Sequence, residues 1–521
     1  MNGAQALIRT LAEAGVDVCF ANPGTSEMHF VAALDDVPQM RAVLTLFEGV
    51  ATGAADGYAR MAGRPAATLL HLGPGLANGI ANLHNARRAR TPMVTIVGDH
   101  ATHHKRLDAP LESDIDALAG AVSGWVRRSL STADLAADAM DALAAACAPP
   151  GCVATLVLPA DVSWGEGGQV AAAPRPRPAA PVRPAVVQEV GDALLTGDGP
   201  VVLLLGGDAL TEPGLLAAAR IAAQTGARLL CETFPARMPR GAGLPFVRPL
   251  PYAPEPALAE LAGTRHLVLA GACAPVAFFA YPGLPGTFTP PDCALHVLAE
   301  PGQDATEALC ALADAVAPDA EPEVTAPARP ALPGGPLTPA SLADVLGALL
   351  PEGAVVVDES LTSGTYLHAA TKGCPRHDWL TLTGGAIGQG LPSAAGAAIA
   401  CPDRPVIGIQ ADGSAMYTLT ALWTYAREQL DITTVICNNR SYAILAGELE
   451  RVGAASDGVR ARQLLDLRRP DLDFVALATG LGVPASRATT AEELADQLRR
   501  ALAEPGPHLI DAVLGPRPAP A

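Results

Sequence analysis

The sequence predicts an α/β protein of three doubly wound parallel-sheet domains, and three observations lead there. Short β-branched runs alternate with helical patterns along the whole chain, as parallel strands joined by crossover helices require. Two Pro-rich stretches, 174–184 and 318–336, read as extended linkers and divide the chain into 1–170, 186–318 and 337–515. A length of 521 residues accommodates about three domains at ~150 residues each.

The first piece opens with a helix that carries Leu7, Ile8 and Leu11 on one face and stops at Gly15. Strands are expected over 16–21, 41–47, 66–72 and 93–98. The middle piece places apolar runs at 201–205, 227–232, 266–271 and 294–300, and the last at 354–359, 406–412, 433–439 and 508–514. A short tail, 515–521, reads as a frayed end. Ligands of such sheets bind at the carboxyl ends of strands, so chemistry is expected just after these runs.

Composition excludes several function classes. With 35 basic and 53 acidic residues the net charge is −18, which repels phosphate backbones and anionic lipid, so neither nucleic acid nor membrane is expected as a partner. Lys105 and Lys372 are the only lysines, and neither lies in a Gly-rich phosphate loop, which argues against a Walker-type NTPase. Ten cysteines never form C-x-x-C, against structural zinc or a redox dithiol. His100, His103 and His104 read as solvated loop histidines. The N-terminus lacks a basic segment followed by an apolar one, and the expected location is the cytoplasm. Gly73, Gly75 and Gly79 follow a strand, but G-x-G-x-x-x-G departs from the dinucleotide fingerprint.

The strongest local signal lies in the last piece. One strand ends in Ala411-Asp412-Gly413-Ser414 and the next in Asn438-Asn439-Arg440-Ser441-Tyr442. Asp412 and Asn439 are one β-α-β step apart, which brings a carboxylate, a side-chain amide and a loop carbonyl to neighbouring strand ends. Hard oxygen ligands of this kind suit Mg²⁺, and the N–H groups of Gly413 and Ser414, opening the next helix, can meet phosphate. The competing reading of Asp412 is a plain helix N-cap.

This ADG…NN pair resembles the diphosphate-binding motif of thiamine-diphosphate-dependent enzymes. The likeness extends to NPGTSE at 22–27, FEGVATGAADGYARMAG at 47–63, HLGPGLANGIANL at 71–83, PVVLLLGGDAL at 200–210, DES at 358–360 and GGAIGQGLP at 384–392. The whole is similar to the 2-oxo acid decarboxylase and acetolactate synthase superfamily, and resembles benzoylformate decarboxylases and acetolactate synthase large-subunit-like proteins within it. The resemblance implies a pyrimidine-binding domain over 1–170, a central domain over 186–318 and a diphosphate-binding domain over 337–515.

It also implies roles. Glu48 would contact the aminopyrimidine, His71 would transfer protons to and from bound intermediates, and Thr25 would contact the substrate carboxylate. Ile387 would prop the bent cofactor, and the Gly385 carbonyl would receive its amino group. Asp412, Asn439 and the Ser441 carbonyl match the Mg²⁺ ligands, with Thr362, Gly413, Ser414 and Tyr442 around the diphosphate. The implied cofactors are thiamine diphosphate and Mg²⁺; the Gly206-Gly207-Asp208 turn is compatible with FAD, which is not part of the expectation. The implied reaction is non-oxidative decarboxylation of a 2-oxo acid through a cofactor-bound enamine, releasing CO₂ and an aldehyde. The alternative is an acetolactate-synthase-like carboligase that transfers the acyl carbanion to a second carbonyl compound. A homodimer or homotetramer is implied, because the first domain of one subunit faces the last domain of another in this superfamily. Two departures bear on the substrate: residues 277–281 lack the second histidine of benzoylformate decarboxylases, and Glu448 stands where an aromatic pocket residue is expected.

Overall fold

The computed structural model describes residues 1–454 and 458–515, so the expected tail beyond 515 lies outside the described residues. Three sheets form. The first has strands β1 (Val18–Asn22), β2 (Arg41–Leu44), β3 (Ala66–Leu70), β4 (Met93–Asp99), β5 (Trp125–Arg128) and β6 (Val153–Pro159), in the order β2-β1-β3-β4-β6-β5 and all parallel. The chain then supplies β7 (Val201–Leu205), β8 (Arg228–Cys231), β9 (Met238–Arg240), β10 (Arg248–Pro249), β11 (His266–Ala270) and β12 (Ala294–Ala299). All of these except β9 make the second sheet, β10-β8-β7-β11-β12. The third sheet comprises β13 (Val355–Glu359), β14 (His377–Thr381), β15 (Val406–Ala411), β16 (Ile432–Asn438), β17 (Ala485–Ala488) and β18 (His508–Val513), ordered β17-β18-β16-β15-β13-β14-β9. Strand β9 pairs antiparallel with β14, so a strand from the middle of the chain closes the edge of the third sheet.

Two expected strands run shorter than their apolar runs suggest. β2 ends at Leu44, and Thr45 to Phe47 form a connection into the helix Glu48–Ala62. β3 ends at Leu70, because His71 becomes the N-cap of the helix Leu72–Ala89 and Leu72 turns to φ +51.

The helix Glu48–Ala62 is buried along almost its entire length, since it lies between the first sheet and the helix Gly390–Ala400 of the last. Close approach of these helices demands small residues: a Cβ on Gly57 would lie 2.1 Å from the Ser393 carbonyl oxygen, and one on Gly396 would lie 1.9 Å from that of Ala54. Inside this contact Asp56 and Arg60 form a buried ion pair at 2.6 Å, and Thr91 and Gln389 also donate to Asp56. Arg60 reaches onward to the Thr381 carbonyl at 2.9 Å and the Thr383 hydroxyl at 2.8 Å. Every hydrogen-bonding arm of the pair is thus used across the two sheets, as a buried charge requires. Among the described residues no helix is long and apolar enough to cross a membrane.

Candidate active site

The expected site residues gather at the carboxyl ends of two sheets. On the first sheet, β1, β2 and β3 are neighbours and carry Thr25, Glu48 and His71 just beyond their ends. Glu48 is buried, and its Oε2 accepts a 3.0 Å hydrogen bond from the Asn78 amide. Its Oε1 faces Gly75, where a Cβ would lie 3.1 Å away.

His71 has a partner that sequence reasoning missed. Its Nδ1 lies 2.8 Å from Oε2 of Glu27, a fully buried carboxylate that also accepts the Gly24 N–H at 2.7 Å. Gly98, at the end of β4, has no room for a side chain because Glu27 Oε1 occupies that space. With Nδ1–H donated to Glu27, the free nitrogen of His71 is Nε2. The signal was present in NPGTSE, whose last residue is Glu27; Thr25 of the same turn is exposed.

On the third sheet, β16, β15, β13 and β14 are consecutive, so Asn439 and Ser441, then Asp412, then Thr362, then Gly385 and Ile387 stand side by side. Parallel pairing of Ala411 with Cys437 brings Asp412 beside the 439–441 loop. The Asp412 carboxylate is buried and accepts only backbone N–H groups here, from Gly413 at 2.8 Å and Arg440 at 2.5 Å. Burial pushes its pKa up to about 6. Asn439 Oδ1 accepts the Ser441 N–H at 2.9 Å and keeps a second lone pair. The Ser414 hydroxyl is buried and has no hydrogen-bond partner among the described residues. Tyr442 covers Gly413 so closely that a Cβ there would lie 2.3 Å from its ring.

Thr362 sits in the turn Leu361–Gly364 that follows β13. Gly385 adopts φ +76, which a side chain would strain, and a Cβ there would meet nothing within 4 Å. Glu359, at the end of β13, accepts the N–H groups of Gly388 and Gly390, and burial lifts its pKa to about 7. Leu72, Leu361 and Arg440 all have positive φ, each in a turn just beyond β3, β13 or β16. A left-handed leucine carries steric cost, and such strain concentrates at functional turns.

Among the described residues no hydrogen bond or ion pair joins Thr25, Glu48 or His71 directly to Asp412, Asn439 or Ser441, although Asn82 bridges the Gly49 and Gly388 carbonyls within one chain. Glu448 does not stand as a lone carboxylate, because Arg451 pairs with it at 2.7 Å while lying over the Tyr281 ring. A cavity of about 940 Å³ opens at the ends of β7, β8 and β11, with Arg87, Arg88, Arg90, Asp208 and Glu232 in its wall and Thr383 and Gly384 bordering it beside Gly385.

Comparisons with known proteins show the family and the fold. Residues 1–119 match the N-terminal TPP binding domain of thiamine pyrophosphate enzymes, and residues 363–512 match the C-terminal TPP binding domain. A Mycobacterium tuberculosis protein with the provisional name acetolactate synthase large subunit is 64% identical, over 99% of this chain and 99% of its own. Benzoylformate decarboxylase of Pseudomonas aeruginosa is 33% identical, over 95% of this chain and 96% of its own. The solved structure of a Rhodococcus jostii RHA1 thiamine diphosphate-dependent 4-hydroxybenzoylformate decarboxylase superposes with a TM-score of 0.86 at 25% identity, covering 99% of this chain and 100% of that one.

Proposed function

The chain belongs to the decarboxylase and acetolactate synthase family of thiamine-pyrophosphate-dependent enzymes, and on that premise we propose that it decarboxylates a 2-oxo acid non-oxidatively, releasing carbon dioxide and an aldehyde. The observation that carries this reading is the Glu27–His71 pair in the first-sheet group. Aldehyde formation needs a proton delivered to carbon, and an imidazole whose Nδ1–H is held by a buried carboxylate keeps Nε2 free to take up a proton and pass it on.

The residues fit the cofactor and its metal. Asp412 is a buried carboxylate with no cationic side chain in hydrogen-bond contact, so a divalent cation would satisfy it. Asn439 Oδ1 and the Ser441 carbonyl complete an all-oxygen donor set suited to Mg²⁺. The unpartnered Ser414 hydroxyl, with Gly413, Thr362 and Tyr442, would hold the diphosphate. Open space over Gly385 leaves room for a ring, and Ile387 would support it from the same turn. When bound, thiamine diphosphate supplies an electron sink that accepts the bonding pair released as carbon dioxide departs. Glu48 would hold the pyrimidine end through Oε1, because Oε2 is occupied by Asn78. Thr25, exposed two residues before Glu27, would contact the substrate carboxylate.

The lack of any direct bond between Glu48 and Asp412 within one chain, among the described residues, supports an active unit of at least two chains, with the first-sheet group of one facing the third-sheet group of its partner, as a homodimer or a homotetramer. Apolar side chains are exposed on the segments that carry both: Met28 and Leu46, close in sequence to Thr25 and Glu48, and Tyr366, Met416 and Tyr417, close in sequence to Thr362 and Asp412.

Carbon dioxide release from a panel of 2-oxo acids, with products identified by mass spectrometry, tests the reaction. We expect aldehyde as product, and His71→Ala should lose turnover roughly 10²-fold or more while still binding thiamine diphosphate. Wild-type turnover in that variant would overturn the role of His71. A second reading, an acetolactate-synthase-like carboligase, is favoured by the name of the 64% identical relative. It would add FAD in the arginine-lined central cavity, and acyloin products would establish it.

A further inference from the structure

The turn that carries Gly385 and Ile387 is held by side chains of the first domain of its own chain. Asn85, fully buried on the helix Leu72–Ala89, grips the backbone of one residue on both sides: its Nδ2 donates to the Ala386 carbonyl at 2.8 Å, and its Oδ1 accepts the Ala386 N–H at 3.1 Å. The Asn85 backbone carbonyl accepts the Thr383 hydroxyl at 2.8 Å. One helical turn earlier, Asn82 donates to the Gly388 carbonyl at 3.2 Å and to the Gly49 carbonyl at 2.7 Å, and its Oδ1 accepts the second N–H of the Asn85 amide at 3.0 Å. His84 Nε2 meets the Gly384 carbonyl at 3.1 Å. Gly384 lets Asn85 in, since a Cβ there would lie 2.4 Å from its Oδ1.

A carboxamide carries a donor and an acceptor side by side, so it can hold the carbonyl and the N–H of one residue at once. Ala386 lies between Gly385 and Ile387, so these two contacts fix both flanking peptide units: the one on the N–H side sets the Gly385 carbonyl direction, and the one on the carbonyl side sets where Ile387 begins. The left-handed φ of Gly385 and the exposure of this residue mean that the turn has little packing of its own to hold it. We propose that Asn85, supported by Asn82, is a positioning residue that preforms the 384–388 turn for the pyrimidine end of thiamine diphosphate before the cofactor arrives. The inference rests on the cofactor reading above, through the roles given there to Gly385 and Ile387. It adds that the geometry of this turn is set from a different domain, by residues that touch neither cofactor nor substrate.

The test is calorimetric titration of the apoprotein with thiamine diphosphate in excess Mg²⁺, for the wild type, Asn85→Asp and Asn85→Ala. Asn85→Asp keeps the volume and the acceptor for the Ala386 N–H but loses both donors, so it places a carboxylate oxygen against the Ala386 carbonyl. We expect both variants to bind the cofactor at least tenfold more weakly, with the far-ultraviolet circular dichroism of the apoprotein unchanged. At saturating cofactor we expect kcat to fall while KM for the 2-oxo acid holds. Wild-type affinity in both variants would overturn the proposal and leave the cofactor reading intact, whereas a wild type that binds no thiamine diphosphate would overturn the reading itself. Amide hydrogen exchange on the wild-type apoprotein is decisive even where the variants fail to fold. Slow exchange at Ala386 without cofactor supports a preformed turn, and fast exchange that slows only with cofactor overturns it.

Discussion

Desolvation lifts the Asp412 carboxyl from 3.8 to about 6, because its oxygens meet backbone N–H groups and no cationic side chain. A carboxyl raised on folding binds a proton more tightly in the native state, so its contribution to stability is present at low pH and is lost as pH rises through about 6. A divalent cation reverses the sign by taking the proton's place. Mg²⁺ affinity should therefore fall roughly tenfold per pH unit below about 6 and level off above it. Thermal scans with thiamine diphosphate, with and without Mg²⁺, at pH 5 and pH 7 check this: the gain from Mg²⁺ should be larger at pH 7, and Asp412→Asn should abolish it. A gain independent of pH would remove Asp412 from the metal site.

At the scale of elements, the strands legible in the sequence are those whose apolar runs are continuous. β7 at Val201–Leu205, β13 at Val355–Glu359 and β18 at His508–Val513 fall within a residue of expectation. β6 is equally apolar and buried along its length, yet is missing from the expected set. β14, His377–Thr381, is hidden by its polar residues: Asp378 is buried because Arg237 and Arg404 each pair with it at 2.7 Å, and no local pattern announces partners so far away. The edge strand β5 is hidden likewise, since its Arg127 and Arg128 face carboxylates on other elements. In the site, Asp412 and Asn439 were legible because one β-α-β step fixes their relation. Glu27 with His71, and Asn85 with Ala386 across 301 positions, become partners only in the folded chain. The Asp56–Arg60 pair is local, one turn apart on the helix Glu48–Ala62, but the reach of Arg60 to the end of β14 is of that kind. Removing one member of a fully buried pair strands the other charge, so Arg60→Ala should destabilise the protein by roughly 3 kcal/mol or more. Thermal unfolding measures it, and an unchanged midpoint would show that the contact between the two sheets does not depend on this pair.

For the whole molecule, the absence of a direct bond between Glu48 and Asp412 among the described residues makes the site a question of assembly. If each active site takes Glu48 from one chain and Asp412 from its partner, two defective chains complement each other. Glu48→Gln and Asp412→Asn homodimers each spoil both of their sites. A mixed dimer places the intact Glu48 of one chain opposite the intact Asp412 of the other, and gathers both substitutions in the second site. Co-expression that pairs chains at random makes about half of the dimers mixed, with one good site in two, so activity should return to roughly a quarter of wild type. The two variants purified separately and assayed together without subunit exchange should stay inactive, which fixes the baseline. A site built within one chain predicts no recovery under either condition, because every chain then carries its own defect. The complementation assay therefore separates the two architectures by presence or absence of turnover, and recovery would also show that Glu48 and Asp412 serve the same site.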